Sequence, residues 1–380
     1  MAKQFRACVV GMGFIGGAHI EALRRLGNVT VTALATTTNP AEKATAHNVP
    51  RGYCDYREMI DAEMPDVVHI CTPNDSHCEM ALYAMERGIA VMLEKPMTRT
   101  LSEARQLAEY AEARHIPNAV NFNCRWYPQV LQAKSMVLSG ELGKIFAVQG
   151  SYLQDWMLLD TDYNWRAEPA LSGESRVFAD IGSHWIDLAE TVTGLRVTEV
   201  MADFATFHPV RKKPLKPIAT FSGITLRPED YEEIPVTTED YCTVLYHFNN
   251  GAHGVCTVTQ MMAGRKNQIL LSIGGSKRSV SWNSDDSNEL WIGSRDSFNQ
   301  KAAKDPALLS PLARTAISYP GGHVEGYPDT FKQNFKAFYT ALEDKTASNG
   351  TFATILDGLR EMEIGQAVLT SARERRWVEV

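Results

Sequence analysis

Three ionisable residues, far apart in the chain, have the types and settings that proton transfer requires. Lys95 lies just beyond the short apolar run Ile89–Leu93 and directly before Pro96. Asp180 and His184 are four residues apart. The carboxylate can hold or polarise the imidazole, whether both lie on one helix face or Asp180 lies in the turn before the helix. A histidine oriented by an acid can move a proton at pH 7.

Each of these residues also has a structural interpretation. Asp180 can be a helix N-cap, His184 a hydrogen-bonded buried histidine, and Lys95 a solvent-facing side chain. The run Ile89–Leu93, however, has the length and composition of a buried parallel strand. Ligands of open α/β sheets bind beyond the carboxyl ends of such strands. Pro96 restricts the preceding residue to an extended conformation and leaves open a cis peptide bond.

A glycine-rich turn near the N-terminus predicts a dinucleotide site. The strand Phe5–Val10 leads directly into the run Gly11–Gly16, and a helical pattern follows. Gly11 allows the tight turn, Gly13 lets a pyrophosphate approach the backbone, and Gly16 lets the helix pack closely on the strand. The helix N-terminus then faces the phosphates. A plain tight turn is the alternative interpretation.

The end of the second strand leaves the choice of cofactor open. Val29–Ala35 ends without the acid that usually holds the ribose hydroxyls of NAD. Thr36 and Thr37 can hold a ribose or accept a 2′-phosphate, and Lys43 is the nearest cation in the sequence. The threonines can instead cap the helix that begins near Pro40. The cofactor is therefore NAD or NADP, and we lean towards NAD.

The arrangement of elements predicts two domains. Asp66–Cys71 and Asn118–Phe122 are further strands of an alternating series, and Thr72–Asn74 falls at the sheet edge that carries the glycine-rich turn. Six strands with crossing helices make a doubly wound Rossmann domain in residues 1–123. Consecutive alternating strands then predict an open antiparallel sheet in residues 124–380. The expected fold class is α/β followed by α+β.

Two stretches are rich in residue types that bind polyols. One contains Gln154-Asp155-Trp156 and residues 163–166, and the other is Tyr319–Asp329 with its Pro-Gly-Gly turn. Aromatic rings beside amides, carboxylates and arginine suit a ligand with many hydroxyls and apolar ring faces. A core aromatic cluster or a structural loop is the alternative for each stretch.

Composition excludes several classes of protein. The chain has 380 residues, 44% hydrophobic and 22% charged, and its net charge of −7 argues against nucleic-acid binding. The basic residues 211–213 are predicted to lie in a solvated loop, Pro209–Glu239. Seven scattered cysteines without a CxxC pair indicate a reducing compartment and predict neither disulfides nor a metal site. With no signal-peptide pattern and no apolar run long enough to span a bilayer, we expect a cytoplasmic protein.

Five motifs follow one another along the chain. They are Gly11–Gly16, Thr72-Pro73-Asn74 with His77, Glu94-Lys95-Pro96, Asn123 with Arg125, and Asp180 with His184. In this order they resemble the Gfo/Idh/MocA oxidoreductase family, over essentially the whole chain. The two polyol-type stretches are similar to the branch of that family that contains levoglucosan dehydrogenase and similar pyranoside dehydrogenases.

The resemblance implies a nicotinamide between a Rossmann domain and an open antiparallel sheet, commonly in homodimers or homotetramers packed through the sheets. It implies a catalytic set of Lys95, Asp180 and His184. The implied cofactor contacts are Gly11, Gly13, Phe14, Ile15, Gly16, Thr36, Thr37, Thr72, Pro73, Asn74, His77, Glu94, Lys95, Asn123, Arg125, Trp165 and Arg166. The implied substrate contacts are Lys95, Tyr127, Gln154, Trp156, Arg166, Asp180, His184 and His323.

The sequence therefore predicts an NAD(P)-dependent dehydrogenase acting on a secondary hydroxyl of a pyranose, an anhydrosugar or a cyclitol. His184 accepts the hydroxyl proton while Lys95 stabilises negative charge on the same oxygen, but which of them is the base stays open. A redox-neutral glycosidase or epimerase with tightly bound NAD is one alternative. A non-catalytic NAD-sensing regulator is another. No metal, membrane or nucleic-acid partner is expected.

Overall fold

The computed structural model describes residues 3–216, 226–346 and 350–380. Residues 217–225 of the predicted loop Pro209–Glu239, and the first two residues of the N-terminus, lie outside the described residues. The chain forms two compact units. The first consists of Met1–Trp126 with Tyr327–Met362, and the second of Tyr127–Gly326 with Glu363–Val380.

The strands are short in the first unit and longer in the second. In chain order they are β1 (Phe5–Val10), β2 (Val29–Ala35), β3 (Arg51–Tyr53), β4 (Val67–Ile70), β5 (Ala90–Leu93), β6 (Asn118–Val120), β7 (Ile145–Leu153), β8 (Val197–Ala205), β9 (Val210–Pro214), β10 (Tyr231–Pro235), β11 (Tyr241–Phe248), β12 (His253–Thr259), β13 (Gln268–Gly275), β14 (Arg278–Asn283), β15 (Glu289–Ser294), β16 (Gln300–Ala303) and β17 (Val378–Glu379).

The α-helices among the described residues are again numbered in chain order. They are α1 (Phe14–Arg24), α2 (Pro40–Ala46), α3 (Tyr56–Glu63), α4 (His77–Met85), α5 (Leu101–Arg114), α6 (Pro128–Leu138), α7 (Pro169–Ser172), α8 (Ser183–Thr193), α9 (Pro311–Arg314), α10 (Tyr327–Asp344) and α11 (Ile355–Glu374).

The first unit contains a parallel sheet in the order β3-β2-β1-β4-β5-β6. Every residue of β4 and β5 is buried, as expected for strands covered on both faces. Val10 is in register with Ala35 on one side and Ile70 on the other, and Ile70 is in register with Leu93. The carboxyl ends of β1, β2, β4 and β5 therefore lie along one edge of the sheet. The predicted Rossmann arrangement is confirmed.

A C-terminal segment completes the first unit, whereas the sequence placed everything after residue 123 in the second domain. The backbone N–H of Val120 in β6 donates to the carbonyl of Ala353 at 2.9 Å, and the Asn118 side chain accepts from the N–H of Ile355 at 2.8 Å. These bonds join the last strand of the parallel sheet to residues more than 200 positions later in the chain. The local pattern of strands and helices carries no sign of such pairing.

The second unit contains a nine-stranded sheet in the order β16-β15-β14-β13-β7-β12-β11-β8-β17. Its neighbouring strands are antiparallel apart from β7 and β12, which are parallel. Helix α8 is almost entirely buried. Its Trp185 indole donates to the carbonyl of Leu270 at 2.8 Å. Gly150 in β7 makes room for this contact, since a Cβ there would lie 2.6 Å from the indole nitrogen.

One prediction for the second unit is wrong. The stretch expected to be a solvated loop contains β9 and β10, which pair with each other in antiparallel register. Arg211 in β9 is fully buried rather than solvated. It shares the Asp240 carboxylate with Arg176, which is also buried, and Glu239 is buried beside them. Asp240 pairs with both guanidinium groups, and the Glu239 carboxyl accepts from the backbone N–H groups of Arg176 and Phe178, so these buried groups have hydrogen-bond partners.

Candidate active site

The turn between β1 and α1 has the shape that a pyrophosphate requires. Gly11 has a φ of +89°, and a Cβ there would lie 2.6 Å from the carbonyl oxygen of Cys71. A Cβ at Gly16 would lie 2.0 Å from the Gly11 carbonyl, whereas a Cβ at Gly13 would meet nothing within 4 Å. The first turn of α1 carries no acid, and its N-cap residue makes no side-chain cap. The turn therefore offers open space before the N-terminus of α1, which fits a dinucleotide phosphate. Phe14 and Ile15 follow in this first turn.

Beyond β2, the structure places Lys43 against the hydroxyl of Thr36, a predicted ribose contact, and against that of Thr38, which the sequence did not single out. The Lys43 ammonium donates to the side-chain oxygens of Thr36 and Thr38, each at 3.2 Å. Thr37 between them is exposed. The backbone N–H of Gly11 donates to the carbonyl of Ala35 at 2.9 Å, so this group adjoins the glycine-rich turn.

His77 is a brace between the loops that follow β4 and β5. Its Nε2 lies 2.8 Å from the Thr72 carbonyl and its Nδ1 lies 3.1 Å from the Pro96 carbonyl. Burial lowers the pKa of His77, while hydrogen bonds to the backbone act in the opposite direction. The two loops carry the predicted cofactor contacts Thr72, Pro73, Asn74 and Lys95, and the peptide bond between Lys95 and Pro96 is cis. His77 thus holds the backbone that presents them.

Glu94 anchors the end of β5, one residue before the predicted catalytic lysine. Its carboxylate lies 2.9 Å from Nε2 of His19 and accepts from the Asn121 amide at 2.5 Å. The N–H of Lys95 donates to its other oxygen at 3.3 Å. Burial raises the pKa of Glu94, but the hydrogen bond from His19, the charge of Lys95 and the hydrogen bond from Asn121 bring it below its ordinary value. Glu94 is therefore an anion that fixes the strand end.

The hydrogen bonds behind Glu94 form a directed chain. Nδ1 of His19 lies 2.9 Å from Nδ1 of His69, and Nε2 of His69 lies 3.0 Å from the Tyr339 hydroxyl. Burial and the nearby His19 hold the pKa of His69 well below its ordinary value, and burial raises the pKa of Tyr339. One tautomer set then satisfies every pair, because Tyr339 donates to His69, His69 donates to His19 and His19 donates to Glu94.

Asn123 and Arg125 lie in a buried 3₁₀ turn after β6. The Asn123 amide donates to the Thr330 hydroxyl at 2.7 Å, and the Arg125 guanidinium donates to Asp357 at 3.1 Å. Both partners belong to the C-terminal segment of the first unit. These two predicted cofactor residues therefore also hold that segment against the Rossmann fold.

In the second unit, Asp180 and His184 lie at the start of α8. Asp180 is in a π-helical turn, Phe178–Gly182, that leads directly into the helix. Both side chains are buried. The Asp180 carboxylate accepts from Nε of Arg166 at 3.0 Å and from the Gln260 amide at 2.8 Å. Asp180 thus belongs to a larger group of polar side chains, which its spacing from His184 in the sequence did not suggest.

Amide side chains extend this polar group along the sheet edge. The Gln260 amide lies 3.3 Å from the carbonyl oxygen of Gln154, which also accepts from the Trp156 indole at 2.7 Å. The Gln154 amide in turn donates to Asn267 at 2.8 Å, and the Tyr152 hydroxyl donates to the same oxygen at 2.7 Å. The Tyr152 ring lies 6.2 Å from that of His184. The structure therefore brings four predicted site residues, Gln154, Trp156, Arg166 and Asp180, into one network.

Trp165, Tyr127 and His323 are the remaining predicted contacts in the second unit, and of these Trp165 adjoins the network through Arg166. The Arg166 guanidinium lies over the Trp165 ring, 4.4 Å from its centroid. Tyr127 is buried, with its ring 4.9 Å from that of Trp282. His323 is exposed, on a loop held by Lys304, which donates to Glu325 at 2.5 Å and to the His323 carbonyl at 2.6 Å. Glu325 is buried and holds this loop in place through Lys304, as the interpretation of the stretch as a structural loop would have it.

Gln260, Asn267 and Tyr152 were missed by the sequence reasoning. Because β7 and β12 run parallel, Leu153 and Thr259 are partners, and Gln154 and Gln260 leave the two strands side by side. Asn267 precedes β13, which pairs with β7 in the opposite direction. The signal in the sequence was an amide residue next to each strand: Gln154 after β7, Gln260 after β12 and Asn267 before β13. Using it required the strand order, which the sequence does not provide.

Within the residues that the structure describes, no helix combines the length and apolar character needed to cross a bilayer. In the same parts of the chain, histidine, cysteine and carboxylate side chains form no group that could hold a metal ion.

Comparison with known proteins gives the family. A model of the oxidoreductase family with an NAD-binding Rossmann fold matches residues 5–122, and a model of the GFO/IDH/MocA C-terminal domain matches residues 130–281. Levoglucosan dehydrogenase of Pseudarthrobacter phenanthrenivorans is 29% identical over 393 residues, which cover 98% of this chain and 97% of the relative.

Solved structures of similar proteins share the fold of this chain over its whole length. Levoglucosan dehydrogenase in complex with NADH and levoglucosan has a TM-score of 0.88 and 27% identity, covering 100% of this chain and 99% of that one. An oxidoreductase domain protein from Kribbella flavida has a TM-score of 0.88 and 28% identity, covering 100% of both chains. The chain belongs to the Gfo/Idh/MocA family of NAD-binding oxidoreductases.

Proposed function

We propose that the protein transfers a hydride between a secondary hydroxyl of a pyranose, an anhydrosugar or a cyclitol and a nicotinamide dinucleotide. The observation that carries this proposal is the hydrogen-bonded network of a carboxylate, a guanidinium, two amides and an indole around Asp180, which is buried four residues before the buried His184. Such a group suits a small ligand with several hydroxyls. The similarity to levoglucosan dehydrogenase supports the same class of substrate.

The catalytic set that we propose is Lys95, Asp180 and His184. His184 accepts the hydroxyl proton as the alcohol becomes a carbonyl. Lys95 donates a hydrogen bond to the same oxygen and stabilises its developing negative charge, an effect worth about 2–4 kcal/mol in comparable sites. Asp180, held by Arg166, orients a neighbouring hydroxyl of the substrate or the imidazole. Gln154 and Trp156 contact the substrate, and we keep Tyr127 and His323 as further proposed contacts.

The cofactor residues that we propose lie mainly in the first unit. When bound, the nicotinamide supplies the acceptor or donor of the hydride. Gly11, Gly13, Phe14, Ile15 and Gly16 would hold the pyrophosphate, and Thr36 and Thr37 the adenosine ribose. The remaining proposed contacts are Thr72, Pro73, Asn74, His77, Glu94, Lys95, Asn123, Arg125, Trp165 and Arg166.

A substrate panel tests this function. The full-length protein is incubated with pyranoses, anhydrosugars and cyclitols, with NAD and NADP in parallel, and the reduced nicotinamide is followed by its absorbance. We expect reduction with at least one polyol in the panel, and loss of that signal in His184→Ala. Cleavage or epimerisation of a sugar without accumulation of reduced cofactor would identify a redox-neutral enzyme instead. Cofactor binding without turnover of any sugar would contradict both the dehydrogenase and the redox-neutral enzyme, and would favour a non-catalytic NAD-sensing regulator.

A further inference from the structure

The group of side chains beyond β2 has an unusual balance of hydrogen-bond donors. A lysine ammonium has three N–H donors and no acceptor, and two of them point to the hydroxyls of Thr36 and Thr38. Each hydroxyl that accepts from Lys43 keeps its own O–H as a donor. One N–H and two O–H donors therefore remain for a ligand at this point. A ligand that only accepts hydrogen bonds would use all three.

The positive charge of Lys43 also favours an anionic ligand at this point. Among the residues that the structure describes, no carboxylate lies within ion-pair distance of Lys43. Glu42, its neighbour on α2, accepts instead from the Asn39 amide at 3.1 Å. An adenosine ribose that carries two free hydroxyls is usually held by a carboxylate at this strand end, and here the position is Thr36. A phosphate on the ribose would instead meet a cation.

The position of the group within the Rossmann fold decides which phosphate it meets. Gly11 donates to the Ala35 carbonyl at 2.9 Å, and Thr36 is the next residue. The open space at Gly13 fits the pyrophosphate, so the end of the neighbouring strand is where the adenosine ribose lies in folds of this type. A second anion at this point is the 2′-phosphate of NADP.

We propose that this protein binds NADP(H) more tightly than NAD(H), with Lys43, Thr36 and Thr38 holding the 2′-phosphate. The proposal rests on the proposed function only in requiring a dinucleotide on the glycine-rich turn. Lys43 is half-buried and already held by two hydroxyls, so little of its freedom is lost when the phosphate binds. Salt should weaken NADP binding more than NAD binding, because one additional charge pair is formed at the surface.

Direct binding to the full-length protein tests the proposal without requiring turnover. Titration calorimetry with NADP and NAD should give a dissociation constant at least about tenfold lower for NADP, as expected for one added charge-assisted hydrogen-bond group. Lys43→Met should weaken NADP by about 10- to 100-fold and change NAD by less than about threefold. Lys336→Met removes an exposed lysine of the same unit and should change neither constant. Thr36→Asp should reverse the preference.

Fragments of the cofactor isolate the site further. In the same calorimeter, 2′,5′-ADP should bind more tightly than 5′-AMP, and Lys43→Met should remove the difference. Tighter binding of NAD than of NADP to the unaltered protein would overturn the inference while leaving the proposed function standing. Equal weakening of both dinucleotides by Lys43→Met would also overturn it. Absence of binding by either dinucleotide would overturn the proposed function as well.

Discussion

Gln260 offers a direct test of the polar network that we place at the substrate. It is fully buried at the end of β12, and its amide nitrogen donates to Asp180 at 2.8 Å and lies 3.3 Å from the carbonyl oxygen of Gln154. Its own carbonyl oxygen is buried and has no hydrogen-bond partner among the described residues. Gln260→Leu keeps nearly the same volume and removes both donor contacts together with the unsatisfied acceptor.

The size of the effect follows from these contacts. A hydrogen bond to an ionised carboxylate contributes about 1.5–3 kcal/mol and a neutral one about 0.5–1.5 kcal/mol. Removal of a buried, unpartnered acceptor returns about 1–3 kcal/mol, so the free energy of unfolding should change little. The lost orientation of Asp180 is not compensated in this way. We therefore expect kcat/KM to fall by about 10- to 100-fold, which corresponds to about 1.4–2.8 kcal/mol of transition-state free energy.

The assay compares kcat, KM and thermal unfolding of Gln260→Leu, Gln260→Glu and the unaltered protein, with the best polyol from the panel. Gln366→Leu on α11 is the matched control, since Gln366 is exposed. Gln260→Glu places a second carboxylate against Asp180, so it should lose more activity and recover part of it as the pH falls. A folded Gln260→Leu variant with kcat/KM within about threefold of the unaltered value would refute the positioning role.

Three further predictions concern the catalytic pair, the glycine-rich turn and the buried arginine cluster. Lys95→Ala and His184→Ala should each lower kcat by at least about 100-fold while calorimetry still shows cofactor binding; near-normal turnover would exclude either residue. Gly13→Ala should fold normally and lose dinucleotide affinity. Gly11→Ala should lower the melting temperature, because Gly11, unlike Gly13, has a positive φ and a backbone carbonyl where a Cβ would lie. Equal melting temperatures of the two variants would contradict this. Asp240→Asn should lower the free energy of unfolding in urea by about 3–5 kcal/mol at neutral pH. Burial raises the pKa of Asp240, but the arginines and backbone N–H groups bring it below its ordinary value, so the carboxylate stabilises the fold above about pH 4 and this contribution is lost as the pH falls through the native pKa. The difference between Asp240→Asn and the unaltered protein should therefore shrink in acid, and a constant difference would refute the charge argument.

The glycine-rich turn was predictable because most of what shapes it is local. Strand, turn and helix are contiguous, Gly16 meets the carbonyl of Gly11 within the turn, and Gly13 has open space around it. Only the contact of Gly11 with the Cys71 carbonyl comes from another part of the chain. The position of Lys95 at a strand end was predictable for the same reason, since an apolar run followed by proline defines where the strand stops. These features depend on short-range sterics and require no knowledge of the rest of the fold.

The remainder of the site depends on pairings that no local pattern encodes. Gln260 reaches Asp180 only because β7 and β12 are parallel neighbours inside a sheet that is otherwise antiparallel. Arg211 was assigned to solvent because it stands in a basic run, yet its partner Asp240 lies 29 residues further along the chain. The sequence showed the residue types but not the partners, and the partners decide whether a charge is buried.

The discontinuous composition of the first unit has a consequence for synthesis on the ribosome. Tyr339 and Asn334, which bond to His69 and Asn121, are translated some 200 residues after the Rossmann strands. A nascent chain that ends before α10 therefore leaves His69 and its neighbours without their cover, however well the parallel sheet has formed. Completion of the unit must await the synthesis of α10, so arrested chains that end at residue 326 should be protease-sensitive in β4 and α1 and become protected once α10 and the start of α11 emerge.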